Sequence, residues 1–295
     1  MNWAILAILA SFFWALSNVF DKFLLSKLVR KPIFPLIMIG LASLITGILV
    51  ILFKGIGPLA AVPLLLAILS GALYTLMAWF YFKSLQVEEV SRVVPLFYIT
   101  PLFVLILATC FLGEVFIPIK YLAIFLLILG AIMLSMRKTL KIKFGKAFFL
   151  MMLSCLSISA SQILLKYLLG LSDFWTVFAY VRFGVFISTI PLWLLYSKDF
   201  RDIVVKTRWK AVYISGLSES VNIIAVFCNA LALTTGFVTL VNSLSSLQSF
   251  FLLAIMIFLS LFYPKILREE IDKKTVAIKI VAIALLFIGS ILLSL

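Results

Sequence analysis

KYLAIFLLILGAIMLS, residues 120–135, returns as KIVAIALLFIGSILLS at residues 279–294. Nine of the sixteen positions are identical. Leucine and isoleucine matches carry little weight in so apolar a chain, but Lys120/Lys279, Gly130/Gly289 and Ser135/Ser294 do. Each copy closes one half of the chain, so the protein is an internal duplication. A second match agrees: WALSNVFDKFLL at 14–25 sets against ISASQILLKYLL at 158–169, pairing Ser17 with Ser161, Asn18 with Gln162 and Lys22 with Lys166.

Composition places the duplication in a membrane. Of 295 residues 65% are hydrophobic and only 12% charged, and mean hydropathy is +1.28. A soluble domain cannot cover its surface with so few polar groups. The formal charge of +14 does not point to nucleic acid, because the basic residues sit in short gaps between apolar runs and read as topology signals. Cys110, Cys155 and Cys228 fall inside apolar runs without ligand or disulfide spacing. The opening MNWAILAILASFFWALSNVF shows neither a basic leader nor a clear cleavage site, and is read as a retained span.

About twenty apolar residues cross the hydrocarbon core as a helix. Ten segments qualify, centred near Ser11, Thr46, Leu73, Leu102, Leu127, Ser157, Gly184, Val221, Phe250 and Leu286. The basic gap RKTLKIKFGK at 137–146 divides the chain into repeats 1–140 and 141–295. Five spans each is an odd number, so the second repeat is expected upside down relative to the first. The expected fold is thus an all-α membrane protein of ten transmembrane helices, arranged as two inverted five-helix repeats. In a membrane protein such a duplication points to transport through a site between the halves. With the N-terminus on side A, 21 of the 25 basic residues fall in side-B loops. Side B is then cytoplasmic and both termini are extracytoplasmic.

One stretch also resembles a known family. In SLQVEEVSRVVPLFYITPLFVLILATCFLGE, residues 84–114, Ser84-Leu85 is followed seventeen positions on by Pro101 and thirteen later by Gly113-Glu114. That pattern is similar to the signature of the EamA family in the drug/metabolite transporter superfamily. Trp14-Ala15-Leu16-Ser17-Asn18 resembles the family's first-helix run, and Gly130 and Gly289 its closing glycine. The second half departs from it: Ala230-Leu231 leads to Leu247 instead of proline, and Glu269-Glu270 arrives late. The resemblance implies a plasma-membrane carrier of small polar metabolites, amino acids or drugs, driven by a proton or exchange gradient. Its partners would be a small-molecule substrate, membrane lipid and a coupling proton, and it implies no cofactor.

Charges deep in a span are costly and mark function by default. Arg182 and Glu219 lie near mid-membrane on consecutive, antiparallel spans. They read as a substrate site, the arginine for a carboxylate or phosphate and the glutamate for an amine or a proton. The alternative is a structural ion pair between the seventh and eighth spans. Polar stripes flank them. Ser215, Ser218, Asn222 and Asn229 accompany Glu219; Asn242, Ser245, Ser246 and Ser249 follow at i, i+3, i+4, i+7; Ser154, Ser157 and Ser161 mark the sixth span; Ser11, Trp14, Asn18 and Lys22 align in the first. The serines read as helix–helix glue. Asn18, Asn222 and Asn242 read as cavity lining, because a buried amide needs several partners. Tyr74 and Tyr98 lie toward mid-span, as cavity wall or as core. The substrate site expected from all this is Arg182, Glu219, Asn222, Asn242, Asn18, Trp14, Tyr74 and Tyr98.

Pro95 and Pro101 would kink the fourth span, whereas Pro191 lies near the end of the seventh. Glu88, Glu89, Arg92 and Glu114 read as solvated loop charges, and Lys22 and Lys166 as snorkelling cations near span ends. Other classes fare worse. The absence of histidine removes the commonest general base and metal ligand, and no span carries a paired-aspartate motif, which argues against an enzyme. A lipid-linked sugar flippase component, a nucleotide-sugar-type exchanger and a non-transporting scaffold stay open as alternatives.

Overall fold

The computed structural model describes residues 2–29, 31, 33–87, 93, 96–135, 145–207, 209–262 and 273–294. The repeat boundary, Pro95, the charges Glu88, Glu89 and Arg92, and the Glu269-Glu270 pair lie outside the described residues. Among the described residues every regular element is helical. In chain order these are α1 Trp3–Lys27, α2 Ile33–Lys54, α3 Ala61–Val87, α4 Thr100–Leu112 and α5 Pro118–Ser135. There follow α6 Lys146–Leu169, α7 Phe174–Thr207, α8 Lys210–Thr235, α9 Val238–Leu244, a 3₁₀ turn Ser245–Leu247, α10 Gln248–Phe262 and α11 Lys273–Ser294. All ten expected segments are helical. Seven of them are long and apolar enough to cross a membrane, counting Val238–Leu259 as one; Thr100–Leu112, Pro118–Met133 and Ile278–Leu292 are shorter apolar helices.

Local sequence explains where helices start and stop. The Asn2 side chain accepts the Ala4 amide at 3.0 Å and caps α1. Asp173 caps α7 by accepting the amides of Trp175 and Thr176, both at 3.0 Å. Hydrogen bonds from Thr176, and then from Trp175, hold its carboxyl below the ordinary carboxylate range. At the end of α4, Gly113 adopts φ +67°, the left-handed conformation that glycine takes without strain. In α7 the backbone leaves helical geometry at Tyr196 (φ −118°, ψ 20°), not at Pro191.

The principal packing pairs join the first half to the second: α1 with α8, α3 with α6, α2 with α7, and α5 with α11. Two details repeat. Ser17 and Ser218 bring their hydroxyls to 3.0 Å, each also donating to the other's carbonyl at 3.3 Å. Ser70 and Ser161 do the same between α3 and α6, with hydroxyls 3.1 Å apart and carbonyl contacts of 3.0 and 2.8 Å. Paired serines of this kind let helices approach while satisfying their own hydroxyls. In the α5–α11 contact, a Cβ on Gly130 would sit 2.9 Å from the Ala282 carbonyl and 3.0 Å from Leu286 Cγ. A Cβ on Gly289 would sit 3.0 Å from the Ala123 carbonyl and 2.9 Å from Leu127 Cγ. The contact is reciprocal and its residue order runs in opposite directions on the two helices, so α5 and α11 are antiparallel.

Where α3 crosses α7, backbone packs directly on backbone. A Cβ at Gly71 would lie 2.6 Å from the Gly184 carbonyl carbon, and one at Gly184 would lie 2.7 Å from the Ile68 carbonyl oxygen. Both obstacles are backbone and cannot yield. Gly71→Val should therefore cost about 1–3 kcal/mol by overpacking, read as a lower melting temperature in detergent. Gly216, with nothing within 4 Å of a built Cβ, is the control: Gly216→Ala should be neutral or slightly stabilising.

Candidate functional site

The close α3–α7 crossing brings Tyr74, one turn after Gly71, beside Arg182, two residues before Gly184. The Arg182 guanidinium carbon lies 5.4 Å from the Tyr74 ring centroid and 5.6 Å from that of Phe178. These aromatic faces hold the cation. Arg182 is only 4% exposed, and its Nε has no hydrogen-bond partner. Across from it, the Asn222 amide donates to Glu219 Oε2 at 3.1 Å and to the Tyr74 hydroxyl at 3.4 Å. Arg182, Tyr74, Asn222 and Glu219 thus form one polar string across three helices.

That string borders a cavity of about 200 Å³. All eight residues of the expected site line it: Trp14 and Asn18 from α1, Tyr74 from α3, Tyr98, Arg182 from α7, Glu219 and Asn222 from α8, and Asn242 from α9. Tyr74 and Tyr98 both border the cavity, and Tyr98 is also packed in the main apolar core. The lining reaches Pro35, near the start of α2, and Phe82, near the end of α3. Both lie toward side B, while Asn242, four residues into α9, and Leu165, four from the end of α6, line it toward side A. Ser245 and Ser246 line it from the 3₁₀ turn that interrupts the α9–α10 run. Irregular backbone at membrane depth is tolerated where it borders a cavity.

The ion-pair reading of Arg182 and Glu219 needs correction. Among the described residues the one salt bridge is Lys31–Asp199, at 2.8 Å and largely exposed. Arg182 instead stacks on rings and Glu219 accepts from Asn222. The two charges share a cavity without joining across it.

Serine contacts agree with the glue reading. Ser11 donates to the Leu244 carbonyl at 3.2 Å, and Ser154 to that of Met77 at 2.9 Å. Asn229 donates to Gln162 at 3.2 Å, both at the cavity wall.

Two charges read as peripheral are structural. Glu114, expected to be solvated, is 4% exposed and accepts the amides of Val238 at 2.7 Å and Thr239 at 3.1 Å. The left-handed Gly113 turns the chain so that the carboxylate reaches the N-terminus of α9, where the helix dipole favours a negative charge. Lys166, partly exposed, is tied to backbone rather than free at the interface. Its ammonium donates to the carbonyls of Leu233 at 2.7 Å and Gly236 at 2.8 Å, at the C-terminus of α8. The α8–α9 corner on side A is thereby held by a cation at one helix end and an anion at the next.

Asp21 is the residue that sequence reasoning missed. It lines the cavity and accepts a 2.6 Å hydrogen bond from Ser218. Its signal was present: Trp14, Asn18 and Asp21 follow i, i+4, i+7 on one face of α1. Among the described residues no cluster of histidine, cysteine or acidic side chains could hold a metal, and the three cysteines are free.

Comparison with known proteins agrees with this architecture. The model of the EamA-like transporter family matches residues 1–136. Twenty-eight solved chains match in fold. One is a crystal structure 16% identical in sequence, with a TM-score of 0.72, covering 98% of this chain and 95% of the other. No curated protein matches the chain.

Proposed function

We propose that this chain, a multi-pass membrane protein with an EamA-like transporter domain over residues 1–136, carries a small polar metabolite by alternating access. The observation that carries the proposal is the cavity: charged, amide and aromatic side chains from both halves converge on it at membrane depth. Intramembrane ionisable groups facing a cavity mark substrate or ion paths. Arg182 binds an anionic group of the substrate; Glu219 binds an amine or carries a coupling proton. Trp14, Asn18, Tyr74, Tyr98, Asn222 and Asn242 shape the remaining wall. The substrate class is amino-acid-like or drug-like, and the direction is gradient-driven export across the plasma membrane.

The halves, 1–140 and 141–295, are ten spans in two inverted repeats. The matched serine pairs support this, since Ser17 and Ser161 are equivalent in the duplication and each meets a partner in the same three-bond pattern. So does the reciprocal, antiparallel contact of Gly130 and Gly289, which fits a two-fold axis in the membrane plane. Both termini are extracytoplasmic by the distribution of basic residues. Side B, toward which Pro35 and Phe82 line the cavity, is then the cytoplasmic side.

Glu219→Gln tests the site, because it removes charge while keeping shape and hydrogen-bonding capacity. Uptake of an amino-acid and nucleoside panel by proteoliposomes should fall about tenfold or more, the worth of one charge-assisted contact. Expression and monodispersity should stay at wild-type level. Normal transport by the variant would place the site elsewhere.

A further inference from the structure

We propose that Asp21 completes this site and that the substrate is a dibasic amino acid, bearing one carboxylate and two cationic nitrogen groups. The inference rests on the transport reading above and names its substrate class. Among the described residues, three charged side chains line the cavity: Arg182, Glu219 and Asp21. Their depths differ. Counted from the side-A helix ends, Arg182 lies eight residues in from Phe174, Glu219 sixteen from Thr235 and Asp21 eighteen from Trp3. At helical rise these are about 12, 24 and 27 Å. Of the three, the guanidinium therefore lies nearest side A, and the two carboxylates lie nearer side B on the packed pair α1 and α8.

Neither carboxylate is used up by the fold. Among the described residues, Asp21 accepts one side-chain hydrogen bond, from Ser218, and Glu219 one, from Asn222. Arg182 is buried with its Nε unpartnered, a cation held ready for an anionic group. A neutral amino acid would satisfy Arg182 and one carboxylate, leaving the other without a charged partner. A diamine would satisfy both carboxylates and leave Arg182 bare. A ligand with its carboxylate at Arg182, its α-ammonium near Glu219 and its side-chain cation near Asp21 leaves none. The apolar stem between those groups would lie along Tyr74 and Tyr81, whose faces also suit a cation.

The test is counterflow in proteoliposomes with L-lysine, L-ornithine, L-leucine, putrescine and a nucleoside, for wild type and for Asp21→Asn and Asp21→Glu. Wild type should prefer lysine or ornithine over leucine and over putrescine by about tenfold or more, one charge-assisted contact in each comparison. Asp21→Asn should bring the lysine-to-leucine ratio close to one, whereas Asp21→Glu, which keeps the charge, should preserve the preference. Leucine carried as well as lysine, putrescine carried as well as lysine, or an unchanged ratio in Asp21→Asn would each overturn the assignment. Transport of leucine or the nucleoside without the dibasic amino acids would overturn it and leave the transport reading standing. Absence of transport across the panel, with the protein folded and reconstituted, would overturn both.

Discussion

Arg182→Met is expected to abolish substrate transport while leaving the protein at least as thermostable as wild type. The two readouts together separate a binding cation from a structural one. An arginine locked in a buried ion pair leaves an uncompensated partner when removed, at a cost of about 3–5 kcal/mol. Here the guanidinium has no such partner. It is 4% exposed, stacked on Tyr74 and Phe178, and its Nε is unpaired. Its desolvation is a standing cost to the fold, and methionine removes that cost. Methionine also fills most of the space and keeps a favourable contact with the two rings. Loss of a charge-assisted hydrogen bond to a substrate anion costs about 1.5–3 kcal/mol, so uptake should drop by about 10- to 150-fold. A melting temperature well below wild type would return Arg182 to a structural role, and unimpaired uptake would remove it from the site.

That these residues would gather around one cavity was legible from sequence because the membrane makes polar residues conspicuous. In an apolar helix each asparagine or charge needs a reason, and mid-span position with helical spacing was enough to gather Trp14, Asn18, Tyr74, Tyr98, Arg182, Glu219, Asn222 and Asn242. The same rule hid Asp21. It lies near the end of the first span beside Lys22, although its i+3 spacing from Asn18 puts it on the face that borders the cavity. Depth along a helix discriminates poorly when a cavity runs toward one side of the membrane, because residues near that end are then as functional as those at the centre.

What sequence could not supply was partnership between distant segments. Arg182 and Glu219 looked paired because both fall toward mid-span on consecutive antiparallel spans, yet depth and the rotation of each helix decide what a side chain meets. The close approach at Gly71 and Gly184 turns Arg182 onto the Tyr74 ring. Likewise, the serine stripes announced helix contacts without saying which helices. That Ser17 meets Ser218 while Ser161 meets Ser70 emerges only once α1 lies on α8 and α6 on α3. The matched segments 120–135 and 279–294 place their glycines, Gly130 and Gly289, at the α5–α11 contact, where an added side chain would meet the facing helix.

Glu114→Ala is expected to be the most destabilising polar substitution on side A. From sequence the residue looked like a solvated charge after a helix stop, since its partners lie more than a hundred residues away. In the fold its carboxylate takes both the Val238 and the Thr239 amides, donors that begin a helix and have no partner within it. In a buried setting each orphaned amide costs about 1–3 kcal/mol, and the helix-end charge interaction adds about 0.3–1 kcal/mol. Alanine should therefore cost about 3 kcal/mol or more, read as a clear drop in melting temperature in detergent. Glu114→Gln keeps an acceptor oxygen and should lose only part of that. Lys166→Met, at the neighbouring helix end, should be milder, because its ammonium is only half-buried and the C-terminal carbonyls of α8 it releases (Leu233 and Gly236) can turn to interfacial water. The order alanine at 114, then methionine at 166 or glutamine at 114, then wild type is the test. Equal stability of Glu114→Ala and wild type would mean that the α8–α9 corner holds itself together without the carboxylate.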